Sequence, residues 1–312
     1  MSRRTAVGFV LLGAVWGSSF PAVRAGVQEA PPVLFAALRF DAIAVFMLGF
    51  AVLAGGRWRP RRTDLAGILA AGALVIGLHN ILWFVGQQHV TSAVAAVVIA
   101  TVPILAAGFS RLVLPSERLA VLGLVGLSLG FLGTLVVAEP NPETLTAGRA
   151  VGVGLVFASA VALALGTVLV QWARTDLPVV ALQGWAMVVG ALSMHLASLG
   201  LGEPQAVEWT STVVLSLLYL VPIAGCFGYL LYFHLLDELG SVELTLVNYV
   251  IPVFAALVGW LALAEGLDAS TVVGFVLVAV GFVLVKRRAL RSRLRQRTSS
   301  APSGRTESRK ES

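Results

Sequence analysis

Ten runs of apolar residues, near 5–25, 33–54, 65–86, 91–111, 118–138, 149–171, 178–200, 211–233, 241–262 and 269–286, limit what this chain can become. Each has about the 20 residues that a helix needs to cross a hydrocarbon core. Lipid offers no hydrogen-bond partners to an open backbone, so runs of this length must cross as helices. With 58% hydrophobic and only 12% charged residues, the chain has too little polar surface to hide so much apolar surface from water. The expected fold class is an all-α integral membrane protein of ten transmembrane helices.

The runs are not independent of one another. Residues 80–117 have a counterpart in residues 229–265, offset by 149 positions (229 − 80). Asn80 falls on Tyr229, Phe84 on Phe233, Ser92 on Ser241 and Pro103 on Pro252. With one loop residue dropped, Glu117 falls on Glu265, and Gly126 and Gly133 fall on Gly274 and Gly281. Gly17 and Ser18 likewise fall on Gly166 and Thr167. Self-similarity on this scale reads as a duplicated architecture. Five helices per half is an odd number, so the second half enters the membrane with the opposite orientation. Two inverted five-helix repeats are the arrangement of many secondary transporters, with the substrate site near the midplane between the halves. The expected domains are a first repeat at 1–138, an outer linker at 139–148, a second repeat at 149–286 and a disordered basic tail at 287–312.

Charge sets the orientation. With the N-terminus in the cytoplasm, Arg3, Arg4, Arg57, Arg59, Arg61, Arg62, Arg111, Arg118 and Arg174 lie inside, as do Lys286, Arg287 and Arg288. The outer loops hold Gln28, Glu29, Gln87, Gln88, His89, Glu139, Glu143, Glu203 and Glu208, and of basic residues only Arg149, with Arg24 near the outer end of the first run. This asymmetry predicts a multi-pass protein of the cell (inner) membrane with both termini cytoplasmic. The net charge of +6 is therefore assigned to membrane orientation and lipid contact, and no nucleic-acid partner is expected. The basic start at Ser2-Arg3-Arg4 resembles a cleaved leader, but Trp16, Pro21 and Arg24 fit poorly with a leader and its cleavage region. A single Cys226 excludes an internal disulfide. The four histidines, His79, His89, His195 and His234, are scattered, with no H-E-x-x-H pattern and no P-loop. No metal, no cofactor and no enzymatic activity are expected.

The candidate site residues are those that sit poorly in lipid. Arg39 and Asp41 lie near the middle of the second run, two residues and about 200° apart on a helix, so each needs its own partner. Arg39 reads either as a structural or snorkelling cation or as the source of a positive potential that favours a carboxylate substrate. In the first run, Trp16-Gly17-Ser18-Ser19-Phe20-Pro21 combines small residues, hydroxyls, an aromatic and a helix breaker. It reads as a kinked packing face or as a cavity wall. Pro103 and Pro252 occupy matched positions and join Pro21 as gating or helix-break candidates. His79, Asn80, Trp83, Tyr229, Tyr232, Asn248 and Tyr249 are polar or amphipathic residues within runs. Interhelical hydrogen bonding explains any one of them, whereas the matched set Asn80, Trp83, Tyr229 and Tyr232 suits an amphipathic solute. Glu117 and Glu265 stand where one helix ends and the next begins and are expected to cap helix N-termini.

Together these residues resemble a known family. The Trp16-to-Pro21 run is similar to the first-helix motif of EamA-type transporters in the drug/metabolite transporter superfamily, and Arg39 within ALRF matches the Arg usual in that family's second helix. The spans from Pro103 to Glu117 and from Pro252 to Glu265 resemble the end of each family repeat. The resemblance covers about residues 1–286 and implies an inner-membrane carrier with ten helices, cytoplasmic termini and alternating access. The second half departs from the motif: Leu165 stands where the Trp would be and Val188 where the Arg would be. The cavity is thus weighted toward first-half residues. The shorter four-helix multidrug exporters of the same superfamily resemble proton antiporters with a Glu in the first helix; the first run here, 5–25, holds no carboxylate, leaving Asp41 or His79 for any coupling. The expected function is transport of a small metabolite, amino acid or amphipathic drug-like solute, with a homo-oligomer left open. The competing readings are a membrane-embedded sensor, scaffold or enzyme with a transporter-like fold.

Overall fold

The computed structural model describes residues 3–113, 121–138, 148–239 and 247–281, together with 244, 283 and 284. Glu117, Ser241 and the basic tail lie outside the described residues. Every regular element described is a helix. In chain order the helices are α1 (Arg3–Glu29), α2 (Pro32–Leu53), α3 (Arg62–Gln87), α4 (Ser92–Val113), α5 (Val121–Ala138), α6 (Arg149–Ala173), α7 (Val179–Gly200), α8 (Ser211–Tyr232, running on to Leu239), α9 (Val247–Leu263) and α10 (Ala269–Gly281). Among the described residues, seven of these are long and apolar enough to cross a membrane: α1 to α4 and α6 to α8. The protein is a multi-pass helical membrane protein.

Local chemistry sets where the helices begin. Thr91 and Thr210 cap α4 and α8, their hydroxyls accepting from Val94 N at 3.4 Å and Val213 N at 3.3 Å. The α2 N-terminus follows Pro31 and is capped from elsewhere in the chain. Glu203 accepts from Val33 N at 3.0 Å and Leu34 N at 2.9 Å, satisfying amides that a helix leaves open.

Two irregularities fall at corresponding places. α3 passes through a π-helical stretch at Ala70–Leu78, and α8 does so at Leu220–Phe227, the same positions to within one residue under the 149-residue offset. Wide turns of this kind shift the register of side chains beyond them and recur at functional sites. Their sequence signal is faint. The three candidate prolines fall into two groups. α4 is interrupted at Ala100 and Thr101, and Pro103 stands in the first turn after the break. Pro21 and Pro252 sit inside helices that run through them. A buried proline removes one N–H bond and displaces one carbonyl, which neighbouring helices can absorb as a bend.

Close packing rests on glycine. A Cβ on Gly17 of α1 would stand 2.5 Å from Phe254 Cβ and 2.7 Å from the Ile251 carbonyl oxygen, both on α9. On α5 and α10, a Cβ at Gly133 would meet the Gly274 carbonyl at 2.8 Å, and one at Gly281 would meet the Gly126 carbonyl at 2.6 Å. The repeat pairs Gly126 with Gly274 and Gly133 with Gly281, so the two contacts exchange partners. Small residues at such crossings let backbones approach in the absence of a water-driven hydrophobic force. Gly17→Ala is expected to lower thermal stability in detergent by about 1–3 kcal/mol, because the α1–α9 contact must open. Gly49→Ala, where nothing lies within 4 Å, is the control and should leave the melting curve in place.

Candidate functional site

Helices α1, α2, α3 and α8 bring together most of the predicted site residues. His79, Trp83 and Gln87 are spaced four apart on α3 and share one face. His79 Nδ1 lies 3.1 Å from the Ser159 carbonyl of α6. The Trp83 ring stacks on His79 at 5.7 Å, meets Phe20 of α1 at 5.0 Å and stands edge-on to Phe84 at 5.3 Å. Gln87 Nε2 donates to the Phe20 carbonyl at 3.0 Å. Asn80 turns back on its own helix, donating to the Ile76 carbonyl at 2.8 Å.

α1 meets α8 through aromatic rings. Trp16 stacks on Tyr232 at 5.3 Å, approaches Tyr229 edge-on at 5.8 Å and donates through Nε1 to the Ala224 carbonyl at 3.2 Å. That carbonyl belongs to the π-helical stretch. Tyr219, the residue directly before that stretch, donates to the Val15 carbonyl at 2.8 Å and was not among the sequence candidates. Ser18 and Ser19 donate to carbonyls of their own helix, Ala14 and Trp16, so these bonds hold their hydroxyls on α1. Asn248 and Tyr249 lie at the described start of α9, half-buried.

The two charges on α2 part as their spacing requires. Asp41 faces outward, 2.8 Å from His195 Nε2 of α7, with roughly half of its side chain exposed among apolar neighbours. Arg39 faces inward and is 7% exposed. Its guanidinium lies over the Phe40 ring at 5.1 Å and the Phe84 ring at 6.0 Å. Tyr219 and Tyr229 of α8 and His79 of α3 lie within electrostatic reach of it. Among the described residues, neither Nε nor Nη1 of Arg39 finds an acceptor, and Trp83 Nε1 and Gln87 Oε1 are also buried without a hydrogen-bond partner. Aromatic faces stabilise a buried cation only in part, and an unpaired buried charge is among the costliest groups a fold can hold. Among the described residues, no group of three or more His, Cys, Asp and Glu side chains is placed to hold a metal.

One end of this cluster is latched. Glu265, after α9, pairs with Arg24 of α1 at 2.7 Å and accepts from Ser92 N at 3.0 Å and Ser92 Oγ at 3.1 Å. Arg24 in turn donates to the Gln87 carbonyl at 3.1 Å and to the Val90 carbonyl. Glu265 is thus a helix cap, but the helix it caps is α4 and not the one that follows it in sequence. The chain reverses through Ala264, whose φ is 52°, and folds the carboxylate back over Gly259. A Cβ at Gly259 would lie 2.4 Å from Glu265 Oε2, so a side chain there would push the carboxylate away. In the sequence Arg24 is notable for its poor fit with a leader and as a basic residue at the outer end of the first run, but nothing there points to a partner 241 residues distant (265 − 24). At the same end Thr210 donates to Glu29, and Gln88 Nε2 donates to the Val27 carbonyl at 3.2 Å.

Comparison with known proteins agrees with this architecture. The family model described as the EamA-like transporter family matches residues 4–138 and again residues 150–287. An uncharacterized transporter of Archaeoglobus fulgidus is 29% identical over 88% of this chain and 95% of its own length. The uncharacterized inner membrane transporter YedA of Escherichia coli K12 is 29% identical, covering 86% of this chain and 85% of its own. The S-adenosylmethionine/S-adenosylhomocysteine transporter of Chlamydia trachomatis is 28% identical, covering 91% and 88%. A solved crystal structure with 23% identity aligns with a TM-score of 0.62, covering 93% of this chain and 99% of that one, and speaks to the fold alone.

Proposed function

We propose that this chain, which belongs to the EamA-like transporter family, is a secondary transporter that carries a small metabolite, amino acid or amphipathic drug-like solute across the cytoplasmic membrane by alternating access. The observation that carries the proposal is an aromatic and polar cluster, buried on the side of the first matched segment and half-buried at Trp16 and on the side of the second, and latched at one end. Trp16, Arg39, His79 and Trp83 come from the first segment, and Tyr219, Tyr229 and Tyr232 come from the second. Polar groups set among aromatic walls suit a solute with one polar end and one apolar end.

In this reading α5, α9 and α10 also cross the membrane, which makes ten helices in two inverted repeats. The matched π-helical stretches and the exchanged glycine contacts of α5 and α10 support it. The basic residues of the α2–α3 and α6–α7 loops, Arg57, Arg59, Arg61, Arg62 and Arg174, put that end in the cytoplasm together with the N-terminus. The Arg24–Glu265–Ser92 latch then closes the external end, and transport requires it to open as the opposite end closes. The related chlamydial protein, named for S-adenosylmethionine and S-adenosylhomocysteine, supports a solute of metabolite size. Purified protein in liposomes should move at least one member of a broad panel of amino acids, organic acids, nucleosides and amphipathic amines, read as uptake or efflux against protein-free vesicles. A panel in which nothing moves would sink the proposal.

A further inference from the structure

Arg39 carries a charge that the surrounding protein does not answer. It is 93% buried (100 − 7), and two of its three guanidinium nitrogens reach no acceptor among the described residues. Carboxylates that form ion pairs do so elsewhere: Asp41 with His195, Asp64 with Arg57, Glu238 with His234, Glu265 with Arg24 and Asp268 with Arg149. The groups near the cation are phenyl rings, two tyrosines and His79. Phe84 also touches Trp83 at 5.3 Å, and Trp83 Nε1 is a further buried donor without an acceptor. Phe84 thus contacts two residues whose buried donors have no acceptor among the described residues, while Gln87 Oε1, one turn beyond Trp83, is a buried acceptor left equally unpaired.

The missing complement is defined by chemistry. An amine or ammonium would add donors to donors, and an ammonium would add charge repulsion. An ionised carboxylate only accepts, forms strong charge-assisted bonds with a guanidinium and brings one negative charge to one positive charge. A doubly charged phosphate would leave an excess charge in a region that screens it poorly. We infer that the transported solute is a carboxylate, received by Arg39 and Trp83 Nε1, with its apolar body laid against Phe20, Phe84 and Tyr229. The inference rests on the transporter reading and narrows it to one substrate class. A carboxylate completes Arg39 only while bound, which ties occupancy of the site to the packing of α2 against α3 and α8.

The test pairs each acid with its neutral twin. Phenylacetate, indole-3-acetate and 4-hydroxybenzoate, each beside its primary amide, are titrated against the full-length protein in nanodiscs, with thermal stabilisation as the readout. At least one acid is expected to bind about 10- to 100-fold more tightly than its amide, the range for hydrogen bonds to a charged group. Arg39→Gln should erase the difference between acid and amide. Trp83→Phe, which keeps the ring and removes the N–H, should shrink it several-fold, a change that loss of packing alone would not make. Equal binding of acids and amides, or a preference that survives in Arg39→Gln, overturns the inference. So does a protein that transports neutral or cationic solutes in liposomes yet is stabilised by no acid, a result that leaves the transporter reading standing. Absence of any transport in the broad panel defeats both.

Discussion

Arg39→Ala is expected to reduce transport in liposomes by at least about 100-fold while helical content and yield stay at wild-type levels. The direction follows from where the charge sits. Arg39 is buried, and its Nε and Nη1 meet no acceptor, so those two atoms anchor no hydrogen bond whose loss would unfold the protein. Removing an unpaired buried cation relieves a desolvation penalty, and the empty fold should hold or gain stability. A residue kept only for packing would behave in the opposite way, losing stability first and activity as a consequence. Circular dichroism and a melting curve beside the transport rate separate the two. Normal transport by this variant would remove Arg39 from the mechanism.

Glu265→Ala should act at the other pole of the site. The carboxylate is a shared partner of Arg24, the Ser92 amide and the Ser92 hydroxyl, and it is 7% exposed. Deleting it leaves a half-buried guanidinium and a Ser92 amide without its acceptor, and breaking a buried pair from one side costs about 3–5 kcal/mol. Part of that loss should appear as lower thermal stability and part as a shift toward a state open at the latch end. A shift of about 3 kcal/mol changes the population ratio by about 100-fold. The readout is a thiol introduced by Ser19→Cys in a Cys226→Ser background, probed with a membrane-impermeant reagent. Its labelling should rise sharply when Glu265 is removed, and Glu265→Gln, which keeps acceptors for Ser92, should lie between. Unchanged labelling in both variants would mean that the latch does not gate this end.

Much of this protein is legible in its residues alone. Runs of about 20 apolar residues leave a chain no choice but to cross lipid as helices, because each unpaired backbone group there is prohibitive. The spacing of Arg39 and Asp41 requires that they face apart. Asp41 meets His195 on the outward face, while Arg39 turns inward to rings, where a partner from a neighbouring helix was expected. Tyr219 carries no such signal, because the matched pattern singles out Tyr229 and Tyr232, and nothing local marks a tyrosine whose partner is the Val15 carbonyl. The π-helical stretches are hidden for a related reason. Apolar residues fit lipid equally well in α- or π-turns, so hydropathy does not distinguish them.

Sequence alone determined the helical class, the repeated halves as an expectation, and the short roster of residues too polar for lipid. Those are decisions made by the solvent acting on each segment, one at a time. Tertiary structure decided which of the polar residues are spoken for. Ser18, Ser19 and Asn80 bond their own helices, Glu265 caps a helix 173 residues away, and Arg39 is left over the Phe40 and Phe84 rings with two donors that meet no acceptor among the described residues. Hydrogen-bond satisfaction is a property of atoms brought together from distant parts of the chain, and no periodicity along the sequence records it.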